Sequence, residues 1–276
     1  MQLVSTSDGV ARLEGDEVVL LEIDEPDLSA HLWAHASLDR VTRAGERRRL
    51  RLADTTLLAP LPRPGKVWAI GLNYHSHAAE TGREAPSEPM VFIKTTSSVV
   101  GHGAPVVLPA AAPSKVDFEG EVAVVIGRRA SSIRAEDAWS HIVGLTACDD
   151  VTARDIQSGT GNFGLAKSFD TFTPLGTSLA TLDGFPDPDD VGLETLVNGE
   201  VRQRARTTDL VHDVGAILAY LSRFTTLEAG DIVSTGTPAG VGVVTGTFLQ
   251  PGDVVEVRVE GVTPLVNRVV AGSAGG

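Results

Sequence analysis

Three observations on the 276-residue chain predict a β-dominated α+β fold. Short runs rich in Val, Ile and Thr recur between Gly/Pro turns, a single long amphipathic helix stands out, and no regular strand–helix alternation appears. A doubly wound parallel sheet would require that alternation.

The first 57 residues read as a small unit. VARLEGDEVVLLEI (residues 10–23) alternates around a Gly15-Asp16 turn as a hairpin does, and SAHLWAHASLDRVTRAG (29–45) has helical spacing. His31 and His35 lie four apart on that helix. With no third metal ligand seen near them in the sequence, they are not read as a site. The three prolines of LAPLPRPG (Leu58–Gly65) cannot continue a sheet or helix, which places a boundary near residue 60. The expected organisation is a small N-terminal α/β domain over 1–60 and a larger β-rich domain over 61–276.

Beyond the boundary, strand candidates follow in order: KVWAIGLNY, MVFIKTTSSVVG, GEVAVVIG, HIVGLTACD, LETLVNGEVRQ, DIVSTGT and DVVEVRVEG. Asn198-Gly199 is a strong hairpin signal. Thr208 or Asp209 is expected to cap a helix with Leu210, Val214, Ile217, Leu218 and Leu221 on one face. The tail AGSAGG, residues 271–276, is expected to fray.

Acidic residues outnumber basic ones 36 to 23, a formal charge of −13. That balance repels nucleic acid and anionic lipid, and an acidic substrate would need local positive charge in its site. No apolar run approaches the roughly 18 residues of a membrane helix, and the amino terminus lacks a signal-peptide layout, so a cytoplasmic protein is expected. The single cysteine, Cys148, excludes an intrachain disulfide and a multi-cysteine zinc site. At an apolar strand end beside acidic neighbours it reads as a buried thiol rather than a nucleophile.

In VDFEGEVAVVIG, Asp117, Glu119 and Glu121 sit two apart and share one face of a strand, opposite Phe118, Val122, Val124 and Ile126. Stacked carboxylates need a proton or a cation. Asp149 and Asp150 close HIVGLTAC, where a strand end can deliver another carboxylate to the same place. All-oxygen ligands suit Mg²⁺, Mn²⁺ or Ca²⁺ rather than zinc. Spacing alone leaves a solvated strand face equally open.

His77 and Glu80 are three apart in GLNYHSHAAETG, so on a short helix they share a face and form a general-base dyad; a surface loop histidine is the plainer alternative. Lys167 lies in GNFGLAKS, which departs from a phosphate-binding loop because Ala166 replaces the second glycine. It reads instead as a plain cation for an anionic ligand. In DIVSTGTPAGVG, the hydroxyls of Thr235 and Thr237 and the turn amides can receive a carboxylate.

The order of these segments resembles the fumarylacetoacetate hydrolase family. The resemblance runs over residues 66–262 through GLNYHSHAAE, EPMVFIKTTSSVVG, VDFEGEVAVVIG, TACDDVTARDIQ, KSFDTFTPLG, LVNGEVRQ and DIVSTGTPAGVG. It implies a mixed β-roll catalytic domain, a homodimer and one divalent cation, usually Mg²⁺ or Mn²⁺, held by residues matching Glu119, Glu121 and Asp150, with Ca²⁺ as a possible substitute. It implies that His77 and Glu80 match the family's dyad, Lys167 its lysine, and Arg154 and Gln157 its polar pocket residues. Asp149 stands where many relatives have Asn, and His75 before the dyad is unusual.

The chemistry expected from this resemblance is hydrolysis of a C–C bond in an acylpyruvate, a small anionic 2,4-diketo acid. His77 would activate water, Lys167 and Gln157 would steady the oxyanion, and Thr237 and Arg154 would fix the acid. Decarboxylation or tautomerisation of a 2-keto acid such as oxaloacetate is the alternative, and a non-catalytic metal and 2-keto acid binding protein a further one.

Overall fold

The computed structural model describes residues 1–112 and 114–272 of the chain; residues 273–276 of the tail lie outside them. β1 (Gln2–Thr6), β2 (Gly9–Glu14), β3 (Glu17–Leu21) and β4 (Glu46–Arg51) form an antiparallel meander, with the expected hairpin as β2 and β3. The helical stretch after β3 is two helices, α1 (Leu28–His35) and α2 (Asp39–Arg43). Ala36 closes α1 in a left-handed conformation (φ 49°), and the Ser37 hydroxyl accepts from the Asp39 amide at 3.0 Å to begin α2.

The chain continues through β5 (Val67–Gly71), α3 (His75–Glu80), β6 (Met90–Lys94), β7 (Val99–Val100), β8 (Val106–Leu108) and β9 (Val116–Asp117). Next come β10 (Gly120–Ile126), β11 (Ile142–Asp149), β12 (Thr152–Ala153), α4 (Arg154–Thr160), α5 (Phe163–Ala166), β13 (Thr173–Pro174) and β14 (Leu179–Thr181). The last part comprises β15 (Gly192–Val197), β16 (Glu200–Arg206), α6 (Val214–Phe224), β17 (Ile232–Ser234), α7 (Gly242–Thr245), β18 (Val254–Val259) and β19 (Leu265–Ala271). The fold is mixed and strand-dominated, as expected.

Ten strands form one sheet in the order β4-β3-β2-β1-β14-β11-β10-β17-β5-β6, and five form a second, β16-β15-β18-β19-β8. The amino-terminal meander joins the large sheet where Leu3 pairs with Leu179. Most pairs are antiparallel, but β17–β5, β19–β8 and the short β13–β7 pair are parallel. Asn198-Gly199 turns β15 into β16, with both residues at positive φ.

The central strand β10 departs from the expected half-polar face. All seven of its residues are buried, and its alternation separates two apolar cores rather than core from solvent. Val122, Val124 and Ile126 join Leu193, Val257 and Leu265 of the second sheet, while Ala123 and Val125 join Leu3, Leu32 and Leu179. Phe118 belongs to a third cluster with Val116 and Phe172.

The long helix begins later than predicted. Asp213 caps α6 by accepting from the Ala216 amide at 2.7 Å, and Val214, Ile217, Leu218 and Leu221 form its buried face. Each such side chain contributes about 2 kcal/mol on burial. Asp209 instead caps a different helix: its carboxylate accepts from the Ser76 hydroxyl at 2.7 Å and the Ser76 amide at 3.2 Å, at the start of α3.

Candidate active site

The strand ends bring the acidic residues together. Antiparallel pairing sets Gly120 opposite Asp149, so residues just before and within β10 meet the residue just after β11. One carboxylate oxygen each from Glu119, Glu121 and Asp150 lies within 4.8 Å of the others, and all three side chains are buried. The solvated-face alternative is therefore overturned. Asp117 lies apart from this trio: it accepts from Arg154 Nε at 2.8 Å and from the Gly242 and Val243 amides at 2.6 and 2.9 Å, which anchors α7.

Three buried cations surround the cluster. Lys167 bonds Glu119, Asp150 Oδ2 (2.6 Å) and the Thr152 hydroxyl (2.8 Å). Lys94 bonds Asp150 Oδ1 and the Phe172 carbonyl (2.8 Å). Arg154 reaches Glu119 and donates to Gln157 Oε1 at 3.0 Å. Burial pushes the Glu119 carboxyl up, but Arg154 and Lys167 outweigh it and hold it well below the usual carboxylate range. Burial also opposes the charge of Lys167, yet Asp150 and Glu119 raise its affinity for the proton and keep it an ammonium.

Glu121 has a different environment. It accepts from the Ser234 hydroxyl at 2.5 Å and the Gly236 amide at 2.9 Å, and forms no ion pair among the described residues. Burial, then Asp150 and Glu119, raise its pKa well above the ordinary value. Glu119 and Asp150 each have a cationic partner and Glu121 has none among the described residues. Three carboxylate oxygens this close fit a hard cation on oxygen ligands.

The dyad stands on α3. His77 Nδ1 is 2.7 Å from Glu80 Oε1, and Glu80 Oε2 accepts from the Gly240 amide at 2.8 Å. The turn before the helix is strained: Leu72 has φ 53° without being glycine. Asn73 holds it, donating to the Thr235 carbonyl at 2.7 Å and the His212 carbonyl at 3.0 Å and accepting from the His212 amide at 2.9 Å. Gly236 permits this approach. It adopts φ +109°, and a Cβ there would lie 2.8 Å from Asn73 Cβ.

One cavity of about 910 Å³ contains most of the predicted residues: His77, Glu80, Glu119, Glu121, Asp150, Arg154, Gln157, Lys167 and Thr237. Thr235 is the exception. Its hydroxyl is spent on the Val122 carbonyl at 2.8 Å, and it does not line the cavity. Thr237 is held between the Gly120 carbonyl (3.0 Å) and Gln203 Nε2 (2.8 Å). His75 is exposed and outside the cavity. Asp149 accepts from the Glu119 amide at 2.8 Å, and burial raises its carboxyl to about 7. Cys148 is fully buried, and burial raises its thiol too.

Sequence reasoning missed Lys94, Gln203 and the apolar wall of Phe92, Phe163, Val243 and Phe248. The signal for Lys94 was a lysine closing the apolar run MVFIK, where only a buried partner makes its charge tolerable.

A trio of buried carboxylates and an imidazole–carboxylate pair line one cavity, an arrangement that fits a metal site. The chain belongs to the fumarylacetoacetate hydrolase family: the family model described as fumarylacetoacetate (FAA) hydrolase C-terminal matches residues 66–270. Oxaloacetate tautomerase YisK of Bacillus subtilis (strain 168) is 41% identical over 79% of this chain and 74% of its own length. The crystal structure of 5-carboxymethyl-2-hydroxymuconate delta-isomerase from Mycobacterium smegmatis is 38% identical, with TM-score 0.79 over 99% of this chain and all of that one. Maleylpyruvate hydrolase from Sphingobium sp. SYK-6, in complex with manganese (II) ion and pyruvate, is 29% identical with TM-score 0.81, covering 99% of this chain and 100% of that one.

Proposed function

We propose that the chain is a divalent-metal-dependent tautomerase or isomerase of 2-keto acids, with oxaloacetate-type dicarboxylic acids as its substrate class. This is the alternative stated above rather than the hydrolase expectation. The names of the tautomerase and isomerase relatives support the change. The observation that carries the reading is the sharing of one cavity by the His77–Glu80 pair and the three carboxylates.

Glu119, Glu121 and Asp150 would hold Mg²⁺ or Mn²⁺, which when bound would act as a Lewis acid on the keto acid and make its C3 hydrogen more acidic. The protein's own groups do the rest. Glu80 accepts a hydrogen bond from Nδ1–H of His77, leaving Nε2 as the base that takes the proton from C3 and returns it to the 2-oxygen. Lys167 stands as a fixed positive charge for the negative charge developing on the substrate oxygen. Arg154 braces Asp117, Glu119 and Gln157 with three of its five N–H donors, which leaves two for an acid in the cavity it lines. Arg83 and Lys115, which also line the cavity, are the cations placed for a distal carboxylate.

Acylpyruvate hydrolysis remains the second reading, supported by the similarity to maleylpyruvate hydrolase, because the same imidazole can activate water. To decide, the enol form of oxaloacetate is mixed with the magnesium-loaded protein and its ultraviolet absorbance followed. Accelerated decay with no acylpyruvate cleavage is expected. Cleavage of acylpyruvates with no effect on the enol would replace the tautomerase by the hydrolase.

A further inference from the structure

Outside the carboxylate centre, a second convergence of ligand atoms lies in the amino-terminal part of the chain. His31 and His35 stand one turn apart on α1, and Glu25, three residues before the helix, reaches both. Its Oε2 is 3.0 Å from His31 Nδ1 and its Oε1 is 2.6 Å from His35 Nε2. One donor atom from each residue lies within 4.8 Å of the other two. The carboxylate is held in place by its own segment: Asp27 caps α1 through the Ala30 amide at 2.8 Å and pairs with Arg63 at 2.8 Å. His31 is wholly buried, whereas Glu25 and His35 are partly open to solvent.

Hydrogen bonding does not satisfy this group. The contact of His35 Nε2 with Glu25 requires a proton on that nitrogen, while its 2.8 Å contact with Arg40 Nη1 requires a lone pair. One nitrogen cannot meet both demands. The guanidinium of Arg40, itself largely exposed, already places a positive charge at the open edge of the cluster.

We propose that Glu25, His31 and His35 form a second metal site, selective for a borderline divalent ion such as Zn²⁺ or Co²⁺. Two imidazoles and one carboxylate are a donor set for such ions rather than for Mg²⁺, and three protein ligands leave a fourth position for water. Coordination replaces both conflicting contacts of His35 with one bond. Binding through His31 Nδ1 moves that ring's proton to Nε2, which is buried without a hydrogen-bond partner among the described residues. That weakens the site by roughly ten- to hundred-fold against one whose rings are fully supported. The ion ties the segment around Glu25 to α1, so its effect is on stability.

The test titrates the full chain, saturated with Mg²⁺, with Co²⁺. The visible absorption of four-coordinate cobalt is expected to saturate at one equivalent, to vanish on adding Zn²⁺, and to accompany a rise in Tm. His35→Ala and Glu25→Gln each remove the band while magnesium-dependent turnover is unchanged, and Glu119→Gln keeps it. Absence of the band from the wild-type chain, its survival in both amino-terminal variants, or its loss in Glu119→Gln would overturn the proposal.

Discussion

The ammonium of Lys167 lies 2.6 Å from Asp150 Oδ2 and also bonds Glu119, so one side chain bridges two of the three clustered carboxylates. A cation bound by those carboxylates shares them with a fixed positive charge and is repelled by it. Lys167→Met is therefore expected to bind Mg²⁺ more tightly, by roughly tenfold or more, while kcat falls. Without metal the variant melts lower, because two buried carboxylates lose a partner, and Mg²⁺ restores its Tm. Calorimetric titration and melting curves read both effects; weaker Mg²⁺ binding would show that the lysine organises the ligands rather than opposing the ion.

The dyad makes a different prediction. His77 takes no part in the carboxylate cluster, and Glu80 orients it while bracing the Gly240 turn. His77→Ala is expected to lower kcat by about 10²- to 10⁴-fold with Mg²⁺ affinity nearly unchanged. Glu80→Gln keeps a hydrogen-bond acceptor for the ring and loses less. A fall in metal affinity matching the fall in kcat in His77→Ala would mean that the histidine supports the metal centre instead.

Much of the site was legible because its residue types are costly elsewhere. Carboxylates two apart on a strand, and a histidine three residues before a glutamate, each limit the local structure to a few arrangements, and Glu119, Glu121, His77 and Glu80 lie within them. The compensating charges were less legible. Lys94 reaches Asp150 from 56 residues away, and β10, β17 and β5 separate β6 from β11 in the sheet, so neither spacing nor strand pairing announces the contact. The approach of Glu25 to His31 and His35 was not legible because Glu25 precedes the helix, so helical periodicity does not include it. The cap of α6 was misplaced because Asp209 and Asp213 are equally good caps in isolation, and tertiary contact with Ser76 decides between them.

The two threonines of the STGTP turn separate by function despite being two residues apart. Thr237→Val removes a hydroxyl that lines the cavity between Gly120 and Gln203, and is expected to raise KM several-fold. Thr235→Val removes one of two hydrogen bonds to the Val122 carbonyl, which keeps the Thr235 amide at 3.0 Å, and should cost about 0.5–1.5 kcal/mol of stability with KM unchanged. Steady-state kinetics with melting curves on both variants checks the division. A KM effect in Thr235→Val equal to that of Thr237→Val would contradict the placement.

Glu25 provides a test in acid. Burial pushes its carboxyl up, but hydrogen bonds from His31 and His35 outweigh burial and hold it at about 2, below its ordinary 4.5. A carboxyl whose pKa is lowered on folding adds stability that is complete above the unfolded value and is lost as pH falls through the folded one. For metal-free protein, the Tm difference between wild type and Glu25→Gln is therefore expected to be constant above about pH 5 and to shrink between 4.5 and 2. Other acidic groups titrate over the same range in both proteins, so the difference rather than the absolute Tm isolates this residue. A difference that stays constant down to pH 2 would mean that the two histidines do not hold the Glu25 charge.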